Sequence, residues 1–289
     1  MGTLTMIKVV KELDEVLDFA WELSQNDLYA SYHRLRSLEK VKEYIERAIN
    51  SNIERIIASY RKDKLCGLCI YFWNLEEKYA QTTMFLIKED YDEVADELIA
   101  YIGNHLPGYE LFIGLPFSNV SGNQYFKKKN YKCIDSQIDT RLYNLQPHIN
   151  LKHHMVEEIT KDNFKEYETF HDKYAIPLEM YYDSKNLKKE IDVFRIFVYK
   201  ENGVIHASIF AKKTKDMAEI FGLFIDEEYK GKHIENILID EILIGLYKEF
   251  GTIKEVLYFI DEDSRDELNA ALAAGFEIKD TYRCYKCVL

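Results

Sequence analysis

"GLFIDEEYKGKHIENILIDEIL", residues 222–243, reads as three pieces: a short apolar strand, a polar loop holding one glycine, and an amphipathic helix. A strand that ends in a small polar loop and opens a helix is one way to build an anion site. Successive N–H groups at a helix start converge on one place, and the helix dipole favours negative charge there. The same arrangement also serves simply to turn a chain around. The rest of the chain decides between the two.

Working outward, the chain repeats itself. The first half reads as a strand (MIKVV), two helices, and a hairpin with a charged turn at 61–64. A further strand (QTTMFLIKE), a helix (YDEVADELIAYIGNHL), a strand (YELFIGLPF), a short helix and a closing strand follow. The second half runs through the same order, with an Asn202–Gly203 hairpin turn, a strong signal of its kind. The order is β-α-α-β-β-β-α-β-α-β, twice. "SNVSGNQYFKKKNY" (118–131) parallels "DSRDELNAALAAGF" (263–276). A repeat of whole-domain length argues duplication of one fold. The boundary is expected near "NLQPHINLKHH" (144–154), which gives domains 1–146 and 147–289.

At 289 residues the chain is long enough for two domains, and with 47% hydrophobic residues each half can bury a core. A formal net charge of −12 argues against nucleic acid, whose binding rests on Lys and Arg neutralising phosphates. "YFKKKNYK" (125–132) is a local basic stretch, read as a solvated helix end. No apolar run is long enough for a membrane span, and the N-terminus has no signal-peptide pattern. Gly2 is a weak myristoylation signal. The expected compartment is the cytoplasm. Cys66/Cys69 and Cys284/Cys287 have C-x-x-C spacing, but both pairs lie in strand-like stretches. Residues i and i+3 on a strand face opposite ways, so buried thiols and no metal are expected.

This element order, with a phosphate-type loop after the fourth strand and a closing Gly-Phe, resembles the GCN5-related N-acetyltransferases. The resemblance covers the whole chain as a tandem pair and is better in the second half. It implies an α/β (α+β) fold: two acyl-CoA N-acyltransferase-like domains, each a mixed, mostly antiparallel sheet flanked by helices. The family's loop pattern is Gln/Arg-x-x-Gly-x-Gly/Ala, introduced by an aromatic. Tyr229 stands at the aromatic, Lys230 at the Gln/Arg, and Gly231 and Lys232 at the variable pair. His233 and Glu235 stand where the two glycines would be. The resemblance implies acetyl-CoA as co-substrate. Its pyrophosphate would lie on Lys230, Gly231, Lys232, His233, Ile234 and Glu235. Its thioester carbonyl would meet a backbone donor at 222–225, among Leu223, Phe224 and Ile225, where a bulge is expected at Gly222.

The first half lacks that loop. Its corresponding stretch, "IKEDYDEVADELI" (87–99), has no glycine and is crowded with acids between Glu89 and Glu97, which would repel a diphosphate. The first half is therefore read as a degenerate copy. The family's proton donor in the penultimate helix falls on Ala271 in the second half and Phe126 in the first, and neither can donate. For a base, Glu219 and His206 are the candidates on cleft-facing strands. The leading expectation is an N-acetyltransferase acting on a small-molecule or peptide amine. A non-catalytic binding or regulatory protein on the same duplicated fold stands beside it. An aminoacyl transferase using charged tRNA is disfavoured by the acidic charge.

Overall fold

The computed structural model describes residues 5–32, 34–146, 153–176, 180, 182–214 and 217–289. Gly2 and part of the expected boundary stretch lie outside them. In chain order the first repeat comprises β1 (Thr5–Val9), α1 (Leu17–Ser24), α2 (Leu38–Asn50), β2 (Glu54–Arg61), β3 (Lys64–Asn74), β4 (Tyr79–Ile87), α3 (Tyr91–His105), β5 (Glu110–Pro116), α4 (Val120–Lys128) and β6 (Lys132–Tyr143). The second comprises β7 (Val156–Ile159), α5 (Phe164–Tyr174), α6 (Ser184–Lys189), β8 (Phe194–Glu201), β9 (Val204–Lys213), β10 (Met217–Ile225), α7 (Ile234–Phe250), β11 (Glu255–Asp261), α8 (Arg265–Ala273) and β12 (Glu277–Val288).

The chain divides into two compact units, but not at 146/147. Unit 1 is Met1–Ser136 with Asp280–Leu289, and unit 2 is Gln137–Lys279. The correction has a simple cause: each repeat's closing strand completes the other repeat's sheet. β12 pairs with β5, from Tyr282↔Pro116 to Val288↔Glu110. β6 pairs with β11, from Glu255↔Tyr143 to Asp261↔Gln137. Strand order is β1-β2-β3-β4-β5-β12 in unit 1 and β6-β11-β10-β9-β8-β7 in unit 2. Each unit has one parallel pair, β4·β5 or β10·β11, and its other ladders are antiparallel.

The strands of each unit are covered on two faces. In unit 1, Val41 and Ile45 of α2 join Ile56, Leu68 and Met84 on one face. On the other, Leu98 and Ile102 of α3 join Phe85, Ile113 and the exchanged Tyr285 and Cys287. In unit 2, Phe164 and Tyr167 of α5 pack on Ile196, Val198 and Phe210. On the opposite face Leu238, Ile239, Ile242 and Leu246 of α7 pack on Ile209, Ile220 and Tyr258, with Leu145 arriving just after β6. Each such buried aliphatic side chain contributes about 1.5–3 kcal/mol. No helix among the described residues is long and apolar enough to cross a membrane.

The turns follow their chemistry. Asn202 and Gly203 both have positive φ (51° and 80°), as a two-residue hairpin loop of the twisted type requires. Lys62 and Asp63 form the corresponding turn without glycine, at φ 49° and 65°. The Cys66/Cys69 pair departs from strand alternation. The β2–β3 register passes from Ser59↔Gly67 to Tyr60↔Leu65, so Cys66 is an extra residue. That bulge puts both thiols into the same core, rather than on opposite faces.

Candidate active site

The site in unit 2 begins with a strand that lets go of its neighbour. The β10·β11 ladder runs from Met217↔Glu255 to Ile220↔Tyr258 and stops. At that point the β10–β9 register shifts from Ile220↔Ala211 to Gly222↔Phe210, leaving Phe221 as the extra residue. A bulge bends and twists its strand. Beyond it β10 stays on β9 through Leu223, Phe224 and Ile225, while β11 stays on β6 as far as Asp261. A wedge therefore opens between the two strands, with Ile220 and Tyr258 at its closed end. The bulge is one residue earlier than Gly222. Gly222 serves close approach instead: a Cβ there would meet the Phe210 ring at 3.0 Å and the Phe224 ring at 3.3 Å.

Past the open end of β10, residues 226–233 lead into α7. One short turn of helix covers Glu227–Tyr229. Gly231 then takes φ +73°, with nothing near where a Cβ would stand, and His233 takes φ +60° as the N-cap of α7. No side chain caps α7, so its first N–H groups keep their hydrogen-bonding capacity. Lys230 is exposed and paired with Glu227 at 2.6 Å. Lys232 places its Nζ 3.9 Å from the centre of the Tyr229 ring. Tyr229 is anchored in turn: it stacks on His206 at 4.0 Å, and its hydroxyl donates to Glu201. That hydrogen bond, with some burial, pushes the phenol up to about 12.

His206 is part of this anchor. It is the extra residue where the β8–β9 register passes from Tyr199↔Ala207 to Lys200↔Ile205. Its Nδ1 lies 3.1 Å from Asp226 Oδ2. Asp226 also accepts from Lys173 Nζ and the Tyr174 hydroxyl, both at 2.6 Å. Burial works against that carboxylate, but the three hydrogen bonds prevail and hold it below the usual aspartate range.

Glu219 lies at the other end of β10, one residue before the closed end of the wedge. Its neighbours across the sheet are Lys212 on β9 and Leu257 on β11, and Arg141 on β6 stands opposite Leu257. Both cations are already engaged. Arg141 Nε and Nη2 donate to Asp139 at 2.5 and 2.9 Å, and Nη1 donates to Glu255 at 2.6 Å. Lys212 Nζ donates to the Tyr182 hydroxyl at 2.7 Å and to Glu190 at 2.5 Å. Glu219 has no hydrogen-bond partner among the described residues. Burial pushes its carboxyl up to about 7, against the pull of Arg141 and Lys212 and with reinforcement from Asp139. From Lys212 to His206 is six residues along β9, roughly 20 Å at a strand's rise per residue. The structure does not bring Glu219 and His206 together.

The opposite face at the closed end carries a second carboxyl. The Tyr258 hydroxyl donates to Glu267 on α8. Burial pushes Glu267 up to about 8, the Tyr258 hydrogen bond opposes this, and Asp261 and Glu235 reinforce it. Glu235, in the first turn of α7, is 5% exposed and has no hydrogen-bond or ion-pair partner among the described residues. Its side chain lies inside, within electrostatic reach of Tyr258 and Glu267, rather than out on the loop.

Unit 1 has the same wedge and fills it. β4 carries its extra residue at Thr83, and its ladder with β5 stops at Gln81↔Phe112. The Phe85 N–H then donates to Ser31 Oγ at 2.9 Å, and the Tyr32 N–H donates to the Gly114 carbonyl at 3.0 Å. Asn119 Nδ2 holds the Ala30 carbonyl at 3.0 Å. The connection to α3 is only residues 88–90, with Asp90 at φ +50°. The acids that follow it are largely paired: Asp90 and Glu97 with Arg61, Asp92 with Lys128, and Asp96 with Lys129.

No family profile matches this chain, and no curated protein matches it. Solved structures do. A GCN5-related N-acetyltransferase from Sphaerobacter thermophilus aligns at TM-score 0.69 and 13% identity, over 98% of this chain and 95% of that one. A tandem GNAT protein from the clavulanic acid biosynthesis pathway aligns at TM-score 0.63 and 10% identity, over 99% and 98%. A GNAT-family acetyltransferase from Colwellia psychrerythraea aligns at TM-score 0.52 and 12% identity, over 97% and 99%. The fold is that of the GCN5-related N-acetyltransferases, in tandem.

On this GNAT fold the expected residues fall as follows. Leu223, Phe224 and Ile225 form the edge of β10 beyond the bulge. Lys230, Gly231, Lys232 and His233 form the loop, and Ile234 and Glu235 open α7. Ala271 is fully buried in the α7/α8 core. Phe126 is buried too, stacked on Tyr285 at 4.7 Å. Glu267, Tyr258, Asp139 and Arg141 were not singled out by sequence. The one available signal was spacing: Glu267 is four residues before Ala271, on the same face of the helix. The loop fits a diphosphate: an uncapped helix start, left-handed Gly231, and two exposed lysines.

Proposed function

We propose that unit 2 is an acetyl-CoA-dependent N-acetyltransferase acting on an amine, and that unit 1 is a structural copy. The observation that carries this is the juxtaposition of a strand released by a bulge with a left-handed loop and an uncapped helix, all at the end of β10. The α7 N–H groups with Lys230 and Lys232 would hold the diphosphate. Acetyl-CoA supplies the acyl group as an activated thioester. The backbone edge of β10 past Phe221 offers N–H groups at the wedge, where Leu223, Phe224 and Ile225 stand. Glu219, poised near neutrality, accepts the proton that the neutral amine loses as it attacks. His206 holds Tyr229 and Asp226, and so shapes the loop. In unit 1 the corresponding backbone is bound by residues 30–32 and the loop is short, which supports a structural role.

The second reading, a non-catalytic binding protein, is favoured by Glu235, a buried carboxylate at a position where the loop pattern has glycine. Calorimetric titration of acetyl-CoA separates the two. Micromolar binding, weakened tenfold or more in a Lys230→Glu/Lys232→Glu variant, is expected. No binding at about 1 mM ligand overturns the enzyme reading.

A further inference from the structure

We infer that the carboxyl of Glu267, held by Tyr258 at the closed end of the β10–β11 wedge, is the proton donor to the thiolate that leaves in acyl transfer. This rests on the reading above and names a catalytic residue for it. Ile220 and Tyr258 are the last paired residues of the two strands. Adjacent strand residues face opposite ways, so Glu219 flanks the closed end from one face and the Tyr258–Glu267 pair flanks it from the other. Two carboxyls thus bracket the point from which the wedge opens.

Their environments suit different tasks. Glu219 faces Lys212 and Arg141, cations that moderate its rise to about 7. Among the described residues the groups that act on Glu267 are Tyr258 and Asp261 from β11 and Glu235 from α7, and none of them is a cation. Its own helix places Arg265 and Asp266, both exposed, in the same first turn, and has no basic residue in its last turn. Burial among like charges keeps it protonated at neutral pH, at about 8. The buried Glu235, without an ion-pair partner among the described residues, is one reason the proton stays on Glu267. Burial raises both carboxyls, and what differs is their company: cations beside Glu219, and like charges with the Tyr258 hydroxyl beside Glu267. Ala271, one turn further along α8, has no proton to give.

The balance closes. As the amine nitrogen bonds to the acyl carbon, its proton passes to Glu219. The carbon–sulfur bond breaks with its electron pair on sulfur, and the thiolate takes the Glu267 proton. Both carboxyls titrate near neutrality, so exchange with water resets them.

The test uses the full chain with Glu267→Gln and Tyr258→Phe. In the free protein, carbon-13 NMR of labelled glutamate side chains should show a carboxyl titrating near pH 8, absent in Glu267→Gln. Tyr258→Phe should move that midpoint upward, because the lost hydrogen bond favours the ionised form. With an acetylated amine in hand, Glu267→Gln should lower kcat by about a hundredfold or more. It should leave acetyl-CoA affinity by calorimetry within about twofold and remove the alkaline fall of the pH profile. Tyr258→Phe should shift that fall to higher pH. Absent acetyl-CoA binding by wild type would defeat the functional reading itself. Binding and turnover with the alkaline limb intact in Glu267→Gln, or no carboxyl titrating above pH 7, would overturn the role of Glu267 alone.

Discussion

Glu219 and Glu267 both sit where a carboxylate is disfavoured, and this ties the proposed catalysis to stability. A carboxyl with a raised native pKa binds a proton on folding. For Glu219 that stabilising uptake is fully present below its ordinary value of 4.5 and is lost as pH rises through about 7. Glu219→Gln imitates the protonated form. It should therefore leave stability at pH 4 unchanged and raise it at pH 8 by about 1–2 kcal/mol, discounted for partial exposure. Urea denaturation at the two pH values checks this. The same variant should lose activity, together with the acidic limb of the rate profile near pH 7. A variant destabilised at pH 8 would show that the carboxylate makes a contact worth more than its desolvation. Glu219 was legible in the sequence as an acid at the polar start of a strand and a candidate base. Glu267 was not: in "SRDELNAALAAGF" it stands beside Asp266 and looks like one more solvated helix acid. Only the packing of Tyr258 and Glu235 around it makes it different.

The strands β4 and β10 show what local geometry adds to the pattern. Both carry a bulge at the corresponding place, Thr83 and Phe221, and both part from their parallel neighbour there. The difference lies in what meets the freed backbone. In unit 1 it is Ser31, whose Oγ takes the Phe85 N–H in a buried setting. Ser31→Ala leaves that donor without a partner, which costs about 1–3 kcal/mol. Chemical denaturation should show it, and amide exchange at Phe85 should accelerate. An unchanged stability would mean that residues 30–32 are not holding the wedge closed. The helices and strands themselves were legible, because their apolar periodicities are regular and their turns carry Asn-Gly or charged pairs. Bulges are not, since a register shift depends on the partner strand. Gly222 pointed to irregularity one residue away from it, and Cys66 and Cys69 share a core only because Cys66 is an extra residue.

A duplication read along the chain suggests two consecutive domains, and the pairing of β6 and β12 shows why that division fails. A sequence repeat records the order of elements, and a strand's partner is a long-range fact that periodicity does not carry. The closing strand of the first repeat belongs to unit 2 from Gln137 onward. It brings Leu142 and Leu145 into the α7/α8 core and Arg141 with Asp139 to the sheet beside Glu219. A fragment of residues 147–289 lacks all of these. It leaves β11 without its antiparallel neighbour and removes the partly buried Leu142 and the fully buried Leu145, the latter contributing about 1.5–3 kcal/mol. Against a domain stability of about 5–15 kcal/mol, that loss is decisive. A fragment of residues 137–279 retains every strand of the unit 2 ladder. The expected outcome is a dispersed nitrogen-15 amide spectrum and cooperative thermal unfolding for 137–279, and a collapsed spectrum for 147–289. Equal folding of the two would mean that β6 is dispensable to unit 2. The same logic holds at the other terminus: removing Asp280–Leu289 should strip amide protection from β5, because Tyr282–Val288 are its partners, and leave the β8–β9–β10 ladder protected.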